Sequence, residues 1–192
     1  YRGVYDALDF LDEANRGKRM KLGKVAVVGG GNTAVDAART AIHKGAKEVT
    51  ILYRRSRSEM PANPMEIKEA EEKEVKFRFL VAPKRILGKD GHVTGIECVR
   101  MELGEPDETG RRRPIPIANS EFTIDLDTII LAVGESPDLA FLSKDMETTE
   151  EGTIAVDPMT METSKKGKFA GGDCVSGPAT VVEAVVAGKK AA

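Results

Sequence analysis

The sequence predicts an α/β protein with a parallel sheet at its centre. Three observations carry that prediction. A short apolar run, a glycine-rich turn, a helical stretch and a second apolar run follow one another between residues 24 and 53. Alternating segments joined by a two-residue turn fill residues 77 to 124, and the texture of the chain changes after about residue 135. Strand, turn, helix and strand in close succession form a βαβ unit, whose right-handed crossover demands parallel strands.

Taken in order, Val4 to Ala14 place Val4, Leu8 and Leu11 at helical spacing among Asp6, Asp9, Asp12 and Glu13, which predicts an amphipathic helix ended by Gly17. Lys24 to Val28 is the first strand of the βαβ unit, Asn32 to Lys44 its helix, closed by Gly45, and Glu48 to Tyr53 its second strand. Pro61 and Pro64 precede a charged helix, Met65 to Lys73; the charges of residues 66–76 suit an exposed helix with i,i+4 pairs. Phe77 to Val81, Arg85 to Leu87 and Val93 to Met101 alternate as strands do, with Asp90-Gly91 as the hairpin turn. Glu105 to Arg113 is a charged loop at the tip of another hairpin, and Phe122 to Ile124 is a further strand. Thr128 to Val133 is apolar as a strand buried on both faces is, and it ends at Gly134. Beyond Ser136 come a loop, a short strand at Thr153 to Val156, the segment Phe169-Ala170-Gly171-Gly172-Asp173 and a final helix from Thr180.

Composition narrows the function classes. The 192 residues are 41% hydrophobic and 31% charged with a net charge of −2, which argues against an electrostatic nucleic-acid binder or a polybasic membrane-surface protein. No stretch reaches the roughly 18 uncharged apolar residues of a membrane span, and no secretory leader is visible. Cys98 and Cys174 lie too far apart for a Cys-x-x-Cys pair or a disulfide framework. The expectation is a soluble, cytoplasmic protein. The chain starts at Tyr1 and stops inside a helical pattern, which reads as a piece of a longer protein.

Gly29-Gly30-Gly31-Asn32-Thr33-Ala34 fits G-x-G-x-x-A, and it follows a strand and opens a helix, the context that gives the pattern meaning. Gly29 permits the tight turn, Gly31 lets the backbone approach a pyrophosphate, and Ala34 lets helix and strand pack closely. The result is a Rossmann-like dinucleotide-binding domain. At the end of the second strand, where an acid would hold a ribose 2′-hydroxyl, stand Tyr53-Arg54-Arg55-Ser56-Arg57, with no acid before Glu59. Two adjacent guanidiniums suit a 2′-phosphate, so NADPH is favoured over NADH, and FAD is disfavoured for this site. A solvated basic loop is the plain alternative. Gly134 ends a central strand on the edge where such sheets bind ligands; it either clears space beside the nicotinamide or is a turn glycine. Asp173 after Gly171-Gly172, with the helix start at Thr180, could meet sugar hydroxyls and an anionic ligand, and it could equally be ordinary loop composition.

Gly29 to Arg39, Tyr53 to Pro61, Leu131-Ala132-Val133-Gly134 and Phe169 to Asp173 with Gly177-Pro178-Ala179-Thr180 together resemble the small (beta) subunit of NADPH-dependent glutamate synthase. The same arrangement occurs in the flavin half of dihydropyrimidine dehydrogenase and in NADH-dependent ferredoxin–NADP transhydrogenase. The resemblance covers essentially the whole chain. It implies an NADPH-binding domain inserted into an FAD-binding domain: residues 1–20 as the connecting helix from the FAD domain, 21–137 as the NADPH-binding domain and 138–192 as the C-terminal part of the FAD-binding domain. Gly29 to Ala34 with Arg54 and Arg55 would hold NADPH; Gly172, Asp173 and Thr180 would complete an FAD site. That FAD site is incomplete in this chain, because the family's first glycine-rich motif, which holds the ADP moiety, is missing from the sequence; the family's iron–sulfur cysteines are missing as well. Hydride would pass from NADPH to FAD and on to iron–sulfur centres or a partner such as a glutamate synthase large subunit.

No side chain is nominated as acid, base or nucleophile, since the cofactors do this chemistry. A thioredoxin reductase-like flavoprotein is the nearest rival, and it lacks its Cys-x-x-Cys here. A noncatalytic nucleotide-binding fragment is the second rival; a methyltransferase would leave the arginines unexplained. His43 and His92 read as solvated, Cys174 as a small buried residue, and no metal site is expected.

Overall fold

A computed structural model describes residues 1–107, 110–134, 136–143 and 145–192. The chain divides into two compact units, Tyr1–Val133 and Gly134–Ala192.

The first unit opens with β1 (Val4–Asp6) and α1 (Ala7–Asn15), then β2 (Lys24–Val28), α2 (Asn32–His43), β3 (Glu48–Tyr53), α3 (Pro64–Glu72) and β4 (Lys76–Phe79). It continues through β5 (Val81–Lys89), β6 (His92–Pro106), β7 (Arg112–Pro116), β8 (Phe122–Asp125) and β9 (Thr128–Leu131). A parallel sheet runs in the order β1-β9-β2-β3-β4, and β6 carries β5, β7 and β8 as antiparallel partners in a second sheet.

Alternation along the parallel strands assigns each face to a different layer. Val25 and Val27 of β2, Val49 and Ile51 of β3 and Ile130 of β9 pack with Phe10 of α1, with Ala34, Val35, Ala37, Ala38 and Ala41 of α2, and with Ile67 and Ala70 of α3. Ala26 and Val28, Leu52 and Ile129 face the other way and pack with Val81, Val93, Ile96 and Cys98 of the antiparallel sheet and with Leu126 between β8 and β9. The parallel sheet is therefore covered by helices on one side and by a second sheet on the other. The alanines of α2 keep its axis close to the strands. Thr128 is buried at the start of β9, and its hydroxyl donates to the Leu22 carbonyl at 2.8 Å.

One expectation, at the N-terminus, is corrected. Val4 to Ala14 is not one helix: Val4–Asp6 pair in parallel with Ile129–Leu131 at the edge of the sheet, and α1 starts at Ala7. Asp6 caps that helix by accepting from the Leu8 N–H at 2.9 Å. Three strand residues running straight into a helix mimic helical spacing, and only the neighbouring β9 reveals the strand. Residues 1–20, expected as a connecting helix, thus contribute a strand and a packed helix to the first unit. The charged face of α3 is exposed, as expected, with Lys68 and Glu72 paired at i,i+4, while Ile67 and Ala70 are buried on its inner face.

The hairpin at Asp90-Gly91 is present, with both residues at positive φ (51° and 78°) as a tight two-residue turn requires. β6 runs on to Pro106 and returns through β7; residues 108 and 109 of the expected hairpin tip lie outside the described residues.

The second unit holds α4 (Asp173–Ser176) and α5 (Val181–Ala191) with isolated bridges such as Val156 to Thr163 and Glu162 to Phe169. The strand expected at Thr153 to Val156 is reduced to such single bridges, because among the described residues no neighbouring segment offers it a continuous ladder.

Phe10 is fully buried, with its ring edge-on to Tyr5 at a centroid distance of 6.0 Å. Phe10→Ala should cost about 3–5 kcal/mol in urea unfolding of the first unit. A loss under about 1 kcal/mol would show that α1 is not part of this core.

Candidate functional site

The three glycines after β2 do different work. Gly29 has φ of +146°, and its N–H donates to the Leu52 carbonyl at 3.1 Å. A Cβ there would stand 2.2 Å from the Ala132 carbonyl oxygen, so the close approach of the β2 and β9 ends excludes any side chain. Gly30 is buried against Tyr53, whose ring a Cβ would meet at 2.4 Å. Gly31 is unlike both. Its φ of −86° suits any residue, and a Cβ there would meet nothing within 4 Å. Gly31 is also the N-cap of α2; it offers no side-chain cap, and the first turn contains no acid. Neither backbone nor packing requires glycine at Gly31, and the bare helix start beside it is suited to an anion.

Ala34 is fully buried in the helix–strand contact, while Thr33 is half-buried and Asn32 exposed. The Asn32 carbonyl oxygen Oδ1 accepts from the Asn63 N–H at 2.8 Å, and the Gly30 carbonyl accepts from the Ala62 N–H at 3.2 Å. The segment after β3 is thereby stitched to the glycine turn, and Tyr53 brings Arg54 to the same strand edge.

The two arginines, equivalent in sequence, differ in the structure. Arg54 is exposed. Arg55 is buried at 7% exposure; its Nε donates to the Arg112 carbonyl at 2.7 Å and its guanidinium pairs with Asp107 at 2.8 Å. Arg57 pairs with Glu71. A short 3-10 turn, Arg57–Glu59, closes the loop as a capping box in which Ser56 and Glu59 bond reciprocally. Glu59 also accepts from Arg112 at 2.9 Å. The Ser56 hydroxyl first, with Arg112 and the Ser56 N–H behind it, holds the Glu59 carboxyl down at about 2.

In the second unit, Gly172 has φ of +78° and lies against Ala184 of α5, while Gly171 lies against Ala187. The glycine turn and α5 are thus brought together. Asp173 is exposed in the first turn of α4. Thr180 caps α5 and is itself engaged: its hydroxyl accepts from the Glu183 N–H at 3.3 Å, and its N–H donates to the Glu183 carboxylate at 2.8 Å. The start of α5 therefore carries an acid of its own. Gly134 is exposed, has φ of +117°, and a Cβ there would meet nothing within 4 Å.

Sequence reasoning missed Glu59, Asp107 and Arg112. The Ser56-x-x-Glu59 spacing is a capping-box signal that could have marked Glu59. The pairing of Arg55 with Asp107, 52 residues apart, has no local signal. His43 and His92 are exposed, as expected. Cys174 is half-buried rather than buried, and its thiol donates to the Gly171 carbonyl at 3.4 Å. Burial pushes the Cys98 thiol up to about 11, which leaves it inert. Among the described residues no cluster could hold a metal ion, and no helix is long and apolar enough to cross a membrane.

Strand, glycine turn, helix and parallel strand with a basic strand end form a Rossmann-like βαβ unit. The chain belongs to the pyridine nucleotide-disulphide oxidoreductase family, whose model matches residues 2–188. It is 49% identical, over its whole length, to the beta subunit of an NADP(+)-dependent formate dehydrogenase from Moorella thermoacetica, of which it covers 27%. It is 43% identical over 98% of its length to the small chain of the NADPH glutamate synthase of Azospirillum brasilense, of which it covers 42%. Among solved structures it resembles a thioredoxin reductase from Lactococcus lactis, with a TM-score of 0.74 and 25% identity over 99% of this chain and 55% of that one. The chain spans about a quarter to a half of the length of the curated relatives it matches.

Gly29→Ala should destabilise the first unit by more than about 2 kcal/mol, combining backbone strain with the clash. Gly31→Ala should leave the urea midpoint within about 1 kcal/mol of the parent. Equal losses would contradict the division between them. Because the Glu59 carboxyl lies below its ordinary value, its contribution is complete above about pH 4.5 and lost as pH falls through about 2. Glu59→Gln should melt below the parent at pH 7, with the gap closing between about pH 4.5 and 2. A gap that ignores pH would assign the loss to packing.

Proposed function

We propose that the first unit binds NADPH and that the chain is the nucleotide-binding part of a flavin-dependent oxidoreductase. The observation that carries this reading is Gly31: a glycine demanded by neither φ nor packing, at an uncapped helix start beside an exposed arginine. The backbone of Gly31, Asn32 and Thr33 would take the pyrophosphate, with Gly29, Gly30 and Ala34 shaping the turn. Arg54 would take the 2′-phosphate. Arg55, engaged with Asp107, would support the loop rather than act as an equal second ligand.

When bound, NADPH supplies a hydride and FAD accepts it. This chain's residues bind and orient: residues 21–137 would form the NADPH-binding domain, and residues 138–192 would supply Gly172, Asp173 and the Thr180 end of α5 to an FAD-binding domain, with Gly134 clearing space by the nicotinamide. The donor set fits an FAD site in part. Asp173 is exposed and able to accept from hydroxyls, whereas the α5 start is already capped by Glu183. Relatives named as small chains or beta subunits support a partner subunit as the electron acceptor, one such as a glutamate synthase large subunit. The chain's only cysteines, Cys98 and Cys174, supply no Cys-x-x-Cys for thioredoxin-type disulfide exchange.

Calorimetry with NADP⁺ and NAD⁺ tests the reading. The parent should prefer NADP⁺, and Arg54→Ala should lower that preference about 10-fold or more, the worth of a hydrogen bond to a charged group. Equal losses for both nucleotides, or none, would falsify the 2′-phosphate assignment.

A further inference from the structure

The arginine loop is tied to an element that the nucleotide reading leaves unused, the arm formed by the distal half of β6 and by β7. Two ion pairs cross between loop and arm. Asp107, at the end of β6, pairs with Arg55 of the loop at 2.8 Å, and Arg112, at the start of β7, pairs with Glu59 of the loop at 2.9 Å. The Arg112 backbone takes part as well, its carbonyl accepting from Arg55 Nε at 2.7 Å. Both ends of the loop are thus fixed. Arg55 is pinned side chain to arm, and its carbonyl accepts from the Leu80 N–H at 3.1 Å. At the other end Glu59 is held by Ser56 and Arg112, and its carbonyl accepts from the Tyr53 hydroxyl at 2.7 Å.

Arg54 lies between Tyr53 and Arg55, so its backbone has little freedom of its own. A guanidinium at 7% exposure needs a countercharge. Without Asp107 its buried charge lacks a countercharge and favours a swing toward water, which would shift the adjoining Arg54. An arginine held in place beforehand recognises a phosphate better than one that must be ordered on binding.

We propose that Asp107, with Arg112 and Glu59, is a positioning residue that holds Arg54 for the 2′-phosphate, so that the β6–β7 arm sets the preference for NADP(H) over NAD(H). This rests on the NADPH reading above. The arm touches no ligand; it acts through the loop.

The test is calorimetry of NADP⁺ and NAD⁺ with the intact protein that carries this chain, comparing the parent, Asp107→Asn, Arg54→Ala and the double variant. Asparagine keeps the size and an acceptor oxygen while removing the charge. The ratio of NADP⁺ to NAD⁺ affinity should fall about 5- to 10-fold in Asp107→Asn and should fall no further when the change is added to Arg54→Ala, since residues acting through one another are not additive. Glu59→Gln, which loosens the other end of the loop, should shift the ratio in the same direction. An unchanged ratio in Asp107→Asn, an equal weakening of both nucleotides, or additive losses in the double variant would overturn the role of the arm. Tighter NADP⁺ binding would overturn it too, by showing that Asp107 competes with the phosphate for Arg55. If Arg54→Ala itself leaves the ratio unchanged, the NADPH reading fails; if it lowers the ratio while Asp107→Asn does not, only the arm's role fails.

Discussion

β2 and β9 lie side by side with both faces covered, and the first unit is organised around that burial. A parallel strand exposes two rows of side chains, and each row here needs its own cover. Helices α1, α2 and α3 serve Val25, Val27 and Ile130, while the antiparallel sheet serves Ala26, Val28 and Ile129. With both faces closed, the ends of the strands are what this sheet leaves for a ligand. The C-terminal ends of β2 and β3 lead directly into the glycine turn and the arginine loop, and Tyr53 joins the two by packing on Gly30.

The three glycines of the turn answer to different constraints. Gly29 exists for the chain: its φ and the Ala132 carbonyl forbid a side chain. Gly30 exists for Tyr53. Gly31 answers to neither, and its open side is where a ligand would approach. A single pattern of glycines thus holds two positions constrained by packing and one that packing leaves open, separable only by asking what a Cβ would meet at each position.

Charge on the loop follows a similar division. Arg54 faces water, while Arg55, one residue later, is buried and pays its desolvation through Asp107 and the Arg112 carbonyl. Past the end of β3, the turn carries Arg54 outward and Arg55 inward, against the β6–β7 arm. The β6–β7 arm meets this loop through Asp107 and Arg112.

By itself the sequence determined the βαβ unit, the Asp90-Gly91 hairpin, the glycine turn and its basic neighbour, because each is encoded in side-chain periodicity or in backbone conformations that only certain residues adopt. It also carried the family. Only the tertiary structure decided what depends on partners distant in the chain. Val4–Asp6 became a strand because β9, more than a hundred residues later, offers it hydrogen bonds. Arg55 was separated from Arg54 because Asp107 lies 52 residues away. Thr153 to Val156, read as a strand, found no continuous ladder within its unit. Local spacing cannot report such pairings, since a hydrogen bond or an ion pair is set by distance in space, and distance in sequence does not fix it.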